Sequence, residues 1–208
     1  MAILELADGG HLAYRESGAG RPLLMLHGWG LSGACFGAQV PALARQFRVL
    51  APDLRGHGAS SPVAEGQGFA TLVDDVVELL CGLDLHDVVV VDWSMGGMLS
   101  WALTQRPEAA RLAGIATVDI VPRLLNDAHW RFGLRDGRDA GVFARTTARM
   151  RDDWPAFARV FVPRVLAAGD DPLRRRLRPW LIGLSEGNDG RSMARLWSSM
   201  VAQDLRDQ

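Results

Sequence analysis

Apolar runs alternate with amphipathic segments through the first 120 residues of the chain. Four continuous apolar runs are typical of strands that are buried on both faces of a sheet. These runs lie at 22–28, 47–54, 88–92 and 112–120. Segments with apolar residues at helical spacing separate them, at about 34–45, 69–82 and 95–106. Strands that alternate with helices predict an α/β fold with a mostly parallel, doubly wound sheet.

The two ends of the chain depart from this alternation. Residues 3–7 and 11–16 flank Asp8-Gly9-Gly10 and predict a β-hairpin before the first parallel strand. After Val121 no strand pattern remains, and helical stretches rich in arginine are interrupted by prolines. We therefore predict a core at residues 1–121 and an all-helical cap, or lid, at residues 122–208.

Composition narrows the class of protein without naming a reaction. The chain has 208 residues, 48% of them hydrophobic, and a net charge of −1, which does not favour nucleic-acid binding. Residues 1–119 hold 7 arginines and 13 acids, and residues 120–208 hold 16 arginines and 11 acids. No apolar stretch approaches the roughly 20 residues of a membrane span. The two cysteines show no pairing pattern, and the N-terminus shows no signal-peptide pattern. Both features predict a cytoplasmic protein.

The glycine-rich segment GWGLSG at 28–33 matches the dinucleotide-binding pattern G-x-G-x-x-G. It follows a predicted strand, and Asp53 lies 20 residues beyond Gly33. Trp29, however, would crowd the turn where the backbone must approach a pyrophosphate. We therefore expect no cofactor and no metal, and interpret HGWG as a turn that aims backbone N–H groups at a developing oxyanion.

The segment VVVVDWSMGGM, at 88–98, predicts a buried strand that enters a tight turn with Ser94 at its tip. A nucleophile elbow needs small residues near the serine, because the strand and the following helix pass close together there. Gly96 and Gly97 meet this need. With Ser94 as the nucleophile, the N–H groups of Met95 and Trp29 are the candidate oxyanion hole.

The motifs HGWG, DLRGHGAS and DWSMGG, in this order, resemble the α/β-hydrolase superfamily. They are most similar to its carboxylesterase branch, which includes the pimeloyl-carrier-protein methyl ester esterases. The resemblance is specific over about residues 20–120 and implies a serine hydrolase of carboxylic esters that works through an acyl-enzyme on Ser94. It also implies Asp119, at the C-terminal end of the fourth parallel strand, as a candidate catalytic acid.

Asp92 departs from the family pattern, because the position two before the nucleophile is normally glycine. A frame shifted by two makes Asp92 the nucleophile, and D-W followed by a small residue resembles the haloalkane dehalogenases. The Ser94 frame explains Gly96 and Gly97, whereas the Asp92 frame explains only the aspartate. An Asp92 nucleophile stays the alternative.

The general base is the second departure. The family order is serine, acid, histidine, and of the five histidines only His129 follows Ser94. We therefore expect that the C-terminal part with the catalytic histidine and the later core strands is missing. An inactive fragment or a non-catalytic ligand-binding relative remains a further alternative. The strand at 112–120 would then be an exposed edge, which favours self-association.

Substrate and partner candidates follow from the residues around these motifs. Trp93 and His27 flank the predicted site and are candidate substrate-binding residues. The aromatic residues of the cap predict an apolar acyl pocket. The basic run at Arg174, Arg175 and Arg176 is a candidate docking site for an acyl carrier protein.

Overall fold

The computed structural model describes residues 1–134, 140–166 and 171–208. Its centre is one six-stranded sheet with the strand order β1-β2-β4-β3-β5-β6. The strands are β1 (Ala2–Glu5), β2 (His11–Ser17), β3 (Arg21–Leu26), β4 (Phe47–Pro52), β5 (Val88–Trp93) and β6 (Leu112–Val118).

The sheet confirms the predicted hairpin and the four parallel strands. β1 and β2 pair antiparallel, with Ala2 opposite Tyr14, and β2 pairs antiparallel with β4. β3 pairs parallel with β4 and β5, and β5 pairs parallel with β6. Because the parallel strands point the same way, their carboxyl ends form one edge of the sheet, where α/β proteins bind ligands.

Three α-helices connect the strands: α1 (Val40–Leu43), α2 (Phe69–Gly82) and α3 (Met95–Leu103). The predicted helical segment at about 34–45 is divided into a 3-10 turn at Gly33–Phe36 and the short helix α1. α1 begins at Val40, and Pro41 lies in its first turn, where the N–H that proline lacks would have no partner within the helix.

Helices follow β6, as the sequence predicted. They are α4 (Ala140–Asp152), α5 (Trp154–Val165), α6 (Pro172–Glu186) and α7 (Gly190–Val201). Asp153, Asp171 and Asp189 cap the N-termini of the last three by accepting the backbone N–H of the third helical residue. Within the described part of 122–208 the only β pairing is an isolated bridge between Arg123 and Asp204.

The core and the sheet edge differ sharply in burial. One large apolar cluster joins the helical face of the sheet to residues of α4, α5 and α7, among them Met150, Trp154 and Met193. Strand β6 lies at the edge of the sheet, and its residues are half-buried or exposed, with Val118 53% exposed.

No helix among the described residues combines the length and the apolar character that crossing a bilayer requires.

Candidate active site

Ser94 occupies a strained turn between β5 and α3. Its backbone has φ 54° and ψ −118°, a conformation that non-glycine residues rarely adopt and that costs on the order of 1–3 kcal/mol. The Ser94 N–H donates to the carbonyl of Val118 (3.0 Å), and the Ser94 carbonyl accepts from the N–H of Gly97 (2.9 Å). These bonds hold the side chain at the tip of the turn, beyond the carboxyl end of β5.

Gly96 allows α3 to lie directly against the central strand. A Cβ atom at this position would lie 2.8 Å from the carbonyl carbon of Leu26 and closer still to its oxygen. Leu26 is the last residue of β3, which is held by strands on both sides. The close packing that the sequence predicted for this glycine is therefore present.

The turn after β3 lies beside the serine. A Cβ atom on Gly28 would lie 3.2 Å from the Cβ of Ser94, so a side chain here would crowd the serine. The N–H of Trp29 follows in this turn, and the N–H of Met95 is the first of α3. Neither donates to another described residue. For Met95 this is expected, because the first N–H groups of a helix have no partner within it.

Two buried histidines hold the Gly28–Gly30 turn in place. His27 accepts from the N–H of Leu54 through Nε2 (2.9 Å), so its Nδ1 donates to the carbonyl of Gly28 (2.9 Å). His57 accepts from the N–H of Gly30 through Nε2 (2.9 Å). Burial lowers the pKa of His27 to about 4 and, with His27 as a second cause, that of His57 to about 3. Both rings are therefore neutral and structurally committed at neutral pH.

The helices that follow β6 complete this support. Asn188, between α6 and α7, donates through Nδ2 to the carbonyl of Gly30 (2.9 Å) and accepts from the N–H of Gly58 (3.1 Å). The indole of Trp29 donates to the carbonyl of Met193 (3.2 Å). The turn beside Ser94 is thus tied to both halves of the chain.

Asp92 lies under the turn and away from the opening. It is 0% exposed, and neither carboxyl oxygen has a hydrogen-bond partner among the described residues. Burial raises the pKa of this carboxyl group. The hydroxyls of Ser100 and Thr117 oppose that rise, but neither completes a hydrogen bond to it, since Ser100 donates to the carbonyl of Gly96 (3.1 Å).

A cavity of about 450 Å³ opens above Ser94. Its walls come from the turns after β3, β5 and β6, from the segment that follows β6, and from α5 and α7. The lining residues include Trp29, Trp93, Ser94, Asp119, Leu124, Phe132, Phe161, Trp197 and Met200. The walls are mainly apolar, and Asp119 is the only ionisable side chain among the described lining residues.

The structure brings together some predicted site residues and separates others. Asp119, with a strained φ of 53°, shares the cavity with Ser94 and Trp93. No histidine lies among the described lining residues. His27 is buried behind the turn, and His129 is exposed, in a turn where its N–H donates to Asp127 (2.7 Å).

Several wall residues were not found from the sequence. Phe132, Trp197 and Met200 line the cavity, whereas Trp154, another aromatic residue of 122–208, packs behind it against the ring of Trp29 at 5.2 Å. Helical spacing shows that these residues are apolar but not which neighbour they face. The motif DLRGHGAS was the available signal for His57, whose supporting contact with Gly30 depends on long-range packing.

Comparisons with known proteins agree with this geometry. The family model of the alpha/beta hydrolase fold matches residues 21–178. A non-heme chloroperoxidase from Kitasatospora aureofaciens is 37% identical over 126 residues, which are 60% of this chain and 46% of that protein. A pimeloyl-[acyl-carrier protein] methyl ester esterase from Nitrosospira multiformis is 31% identical over 173 residues, 79% of this chain and 64% of that protein. The chain spans about half the length of the curated relatives it matches.

Solved structures show the same fold. A bromoperoxidase from Bacillus anthracis superimposes with a TM-score of 0.89 at 26% identity, covering 99% of this chain and 75% of that one. An esterase from Exiguobacterium antarcticum gives 0.88 at 22% identity over the same shares. Because the family model matches most of the chain, and the sheet and the serine turn have the expected form, this protein belongs to the alpha/beta hydrolase fold family.

Proposed function

We propose that this chain is a serine hydrolase of carboxylic esters, with Ser94 as the nucleophile. The observation that carries the proposal is the strained Ser94 turn at the N-terminus of α3, which faces a mainly apolar cavity of about 450 Å³. The esterases among the relatives support it. Asp92, the alternative nucleophile, is not among the residues that line this cavity.

The proposed reaction is acyl transfer through an acyl-enzyme. The Ser94 hydroxyl loses its proton to a base as its oxygen attacks the ester carbonyl, and the alcohol leaves with that proton when the tetrahedral intermediate collapses. Water then attacks the acyl-enzyme by the same route, which releases the carboxylic acid and returns the proton to Ser94. The N–H groups of Trp29 and Met95 receive the oxyanion, each worth about 10²–10³ in rate. Asp119 is the proposed acid that orients the base. None of the described histidines lines the cavity, so none of them is assigned as the base.

The cavity favours an apolar acyl group. A second cavity, of about 620 Å³, shares Leu134, Phe161, Val165 and Trp197 with the first as lining residues. We propose that a long acyl chain extends along these shared residues toward the second cavity, whose lining includes Phe143 and Phe157 as well as Arg149 and Arg164. We therefore expect medium-length acyl esters to bind better than acetate, and Trp93 to contact the substrate.

Hydrolysis of p-nitrophenyl acetate, butyrate and octanoate tests the proposal. We expect turnover that rises with acyl length and is abolished in Ser94→Ala. Ser198→Ala, the same change at an exposed serine of α7, is the matched control and should retain full activity. Turnover that survives Ser94→Ala and is lost in Asp92→Asn would assign the chemistry to the aspartate. Equal silence of wild type and Ser94→Ala would favour the non-catalytic alternative.

We further propose that residues 122–208 act as a cap on a core of residues 1–121, and that the protein works in the cytoplasm. Both cysteines are free thiols, which suits a reducing compartment.

The proposed carrier-protein surface is the basic run of α6, where Arg175 and Arg176 are exposed and Arg174 pairs with Asp171 (2.8 Å). The double change Arg174→Glu and Arg175→Glu should lower turnover of a carrier-linked ester and spare small esters. Equal losses would contradict the proposed docking site.

A further inference from the structure

Asp92 is a buried acidic side chain for which the proposed reaction has no use. Asp92 is fully buried, and both of its carboxyl oxygens lack a hydrogen-bond partner among the described residues. It lies two residues before Ser94, on the last part of β5. A buried polar group without a partner is rare in folded proteins and calls for a physical explanation.

Among the described side chains, only the hydroxyls of Ser100 and Thr117 lower the pKa of Asp92, and burial outweighs them. Leu26 lies opposite it on β3, and Thr117 lies opposite it on β6. Gly97 and Ser100 approach from α3: a Cβ atom on Gly97 would lie 2.9 Å from Oδ1 of Asp92. None of these groups titrates, and no charged side chain of the described residues contributes to the pKa shift of Asp92. A neutral carboxylic acid fits this site better than a carboxylate does.

The position of Asp92 couples its charge to the serine turn. Gly97, the residue packed on the carboxyl group, donates its N–H to the Ser94 carbonyl at 2.9 Å. A negative charge here would oppose the charge that develops on the attacking oxygen and on the oxyanion. It would also attract the N–H groups of the first turn of α3, which include the N–H of Met95.

We propose that Asp92 is a positioning residue that supports the nucleophile turn in its protonated form, and that loss of its proton to solvent switches the site off. This inference rests on the proposed role of Ser94. The rise in pKa that burial causes places the transition above the ordinary range of aspartate. Activity should therefore fall as the pH rises through the folded-state pKa of Asp92.

Infrared spectroscopy and serine labelling test the proposal together, from about pH 5 to about pH 9. In the full chain, the carbonyl stretch of a protonated carboxylic acid should be present at low pH and fade as the pH rises. That band should be missing in Asp92→Asn and retained in Asp152→Asn, the same change at an exposed aspartate. Over the same interval the rate of Ser94 labelling by a fluorophosphonate should fall about tenfold in wild type and stay level in Asp92→Asn.

The outcomes separate this inference from the proposed function. A spectrum with no band that depends on Asp92 overturns the inference, as does a band that titrates while labelling stays constant. If wild type is not labelled at any pH, the fluorescence emission of Trp93 replaces labelling as the measure of the serine turn. That emission is the part of the wild-type signal that Trp93→Phe lacks. An emission change that follows the band supports the switch, and constant emission overturns it. Ester turnover kept in Ser94→Ala but lost in Asp92→Asn refutes the proposed function, and the inference falls with it.

Discussion

Replacing Gly96 with alanine tests how tightly α3 is held against the sheet. The added Cβ atom would lie 2.8 Å from the carbonyl carbon and 2.9 Å from the Cβ of Leu26. Most of the contact is with backbone, and β3 is paired on both sides, so the strand cannot move away. Overpacking of a core typically costs about 1–3 kcal/mol, and the backbone contact places Gly96→Ala near 3 kcal/mol. The gain of about 1 kcal/mol from alanine in a helix offsets part of this.

Gly183 in α6 provides the matched control. A Cβ atom there would meet no heavy atom within 4 Å, so Gly183→Ala should raise the free energy of unfolding by up to about 1 kcal/mol. Urea unfolding followed by circular dichroism measures both variants. For a chain of this size, the net loss of about 2 kcal/mol in Gly96→Ala corresponds to a fall in Tm of roughly 4–8 °C. A Gly96→Ala protein as stable as Gly183→Ala would refute the close packing.

Activity supplies a second measure of the same change. Displacement of α3 moves the N–H of Met95 away from the proposed oxyanion position, and a misplacement of about 1 Å can cost about 10²-fold in rate. We therefore expect turnover, or serine labelling, to fall in Gly96→Ala and not in Gly183→Ala.

Three further predictions concern stability and association. The free energy of unfolding should fall as the pH drops from about 6.5 to about 4, because over this range His27 and His57 take up protons only in the unfolded chain. The lowered pKa of His27 alone contributes about 3 kcal/mol. Urea titrations that show constant stability over this range would contradict the neutral rings. Asn188→Ala should cost about 1–3 kcal/mol in thermal unfolding, since the carbonyl of Gly30 loses its buried donor; an unchanged Tm would show that water replaces it. The 208-residue chain should self-associate through the exposed edge strand β6. Ala116→Lys on that strand should shift the chain toward monomer in size-exclusion chromatography, and a monomeric wild type would refute the predicted association.

The sequence by itself determined the elements and the serine turn, because their signals are local. Apolar runs that alternate with helical periodicity predicted the four parallel strands, and Asp8-Gly9-Gly10 predicted the hairpin. Ser94 followed by Gly96 and Gly97 predicted the elbow, since only small residues allow that turn.

Tertiary structure decided what depends on neighbours distant in sequence. The break of the segment at 34–45, the insertion of β4 between β2 and β3, and the choice of Trp197 as a wall residue all follow from long-range packing. The neutral state of His57 arises from burial and from the ring of His27, which lies 30 residues away in the chain. The missing partner of Asp92 is also visible only in three dimensions, because hydrogen bonding and burial are properties of the assembled neighbourhood and not of the residue.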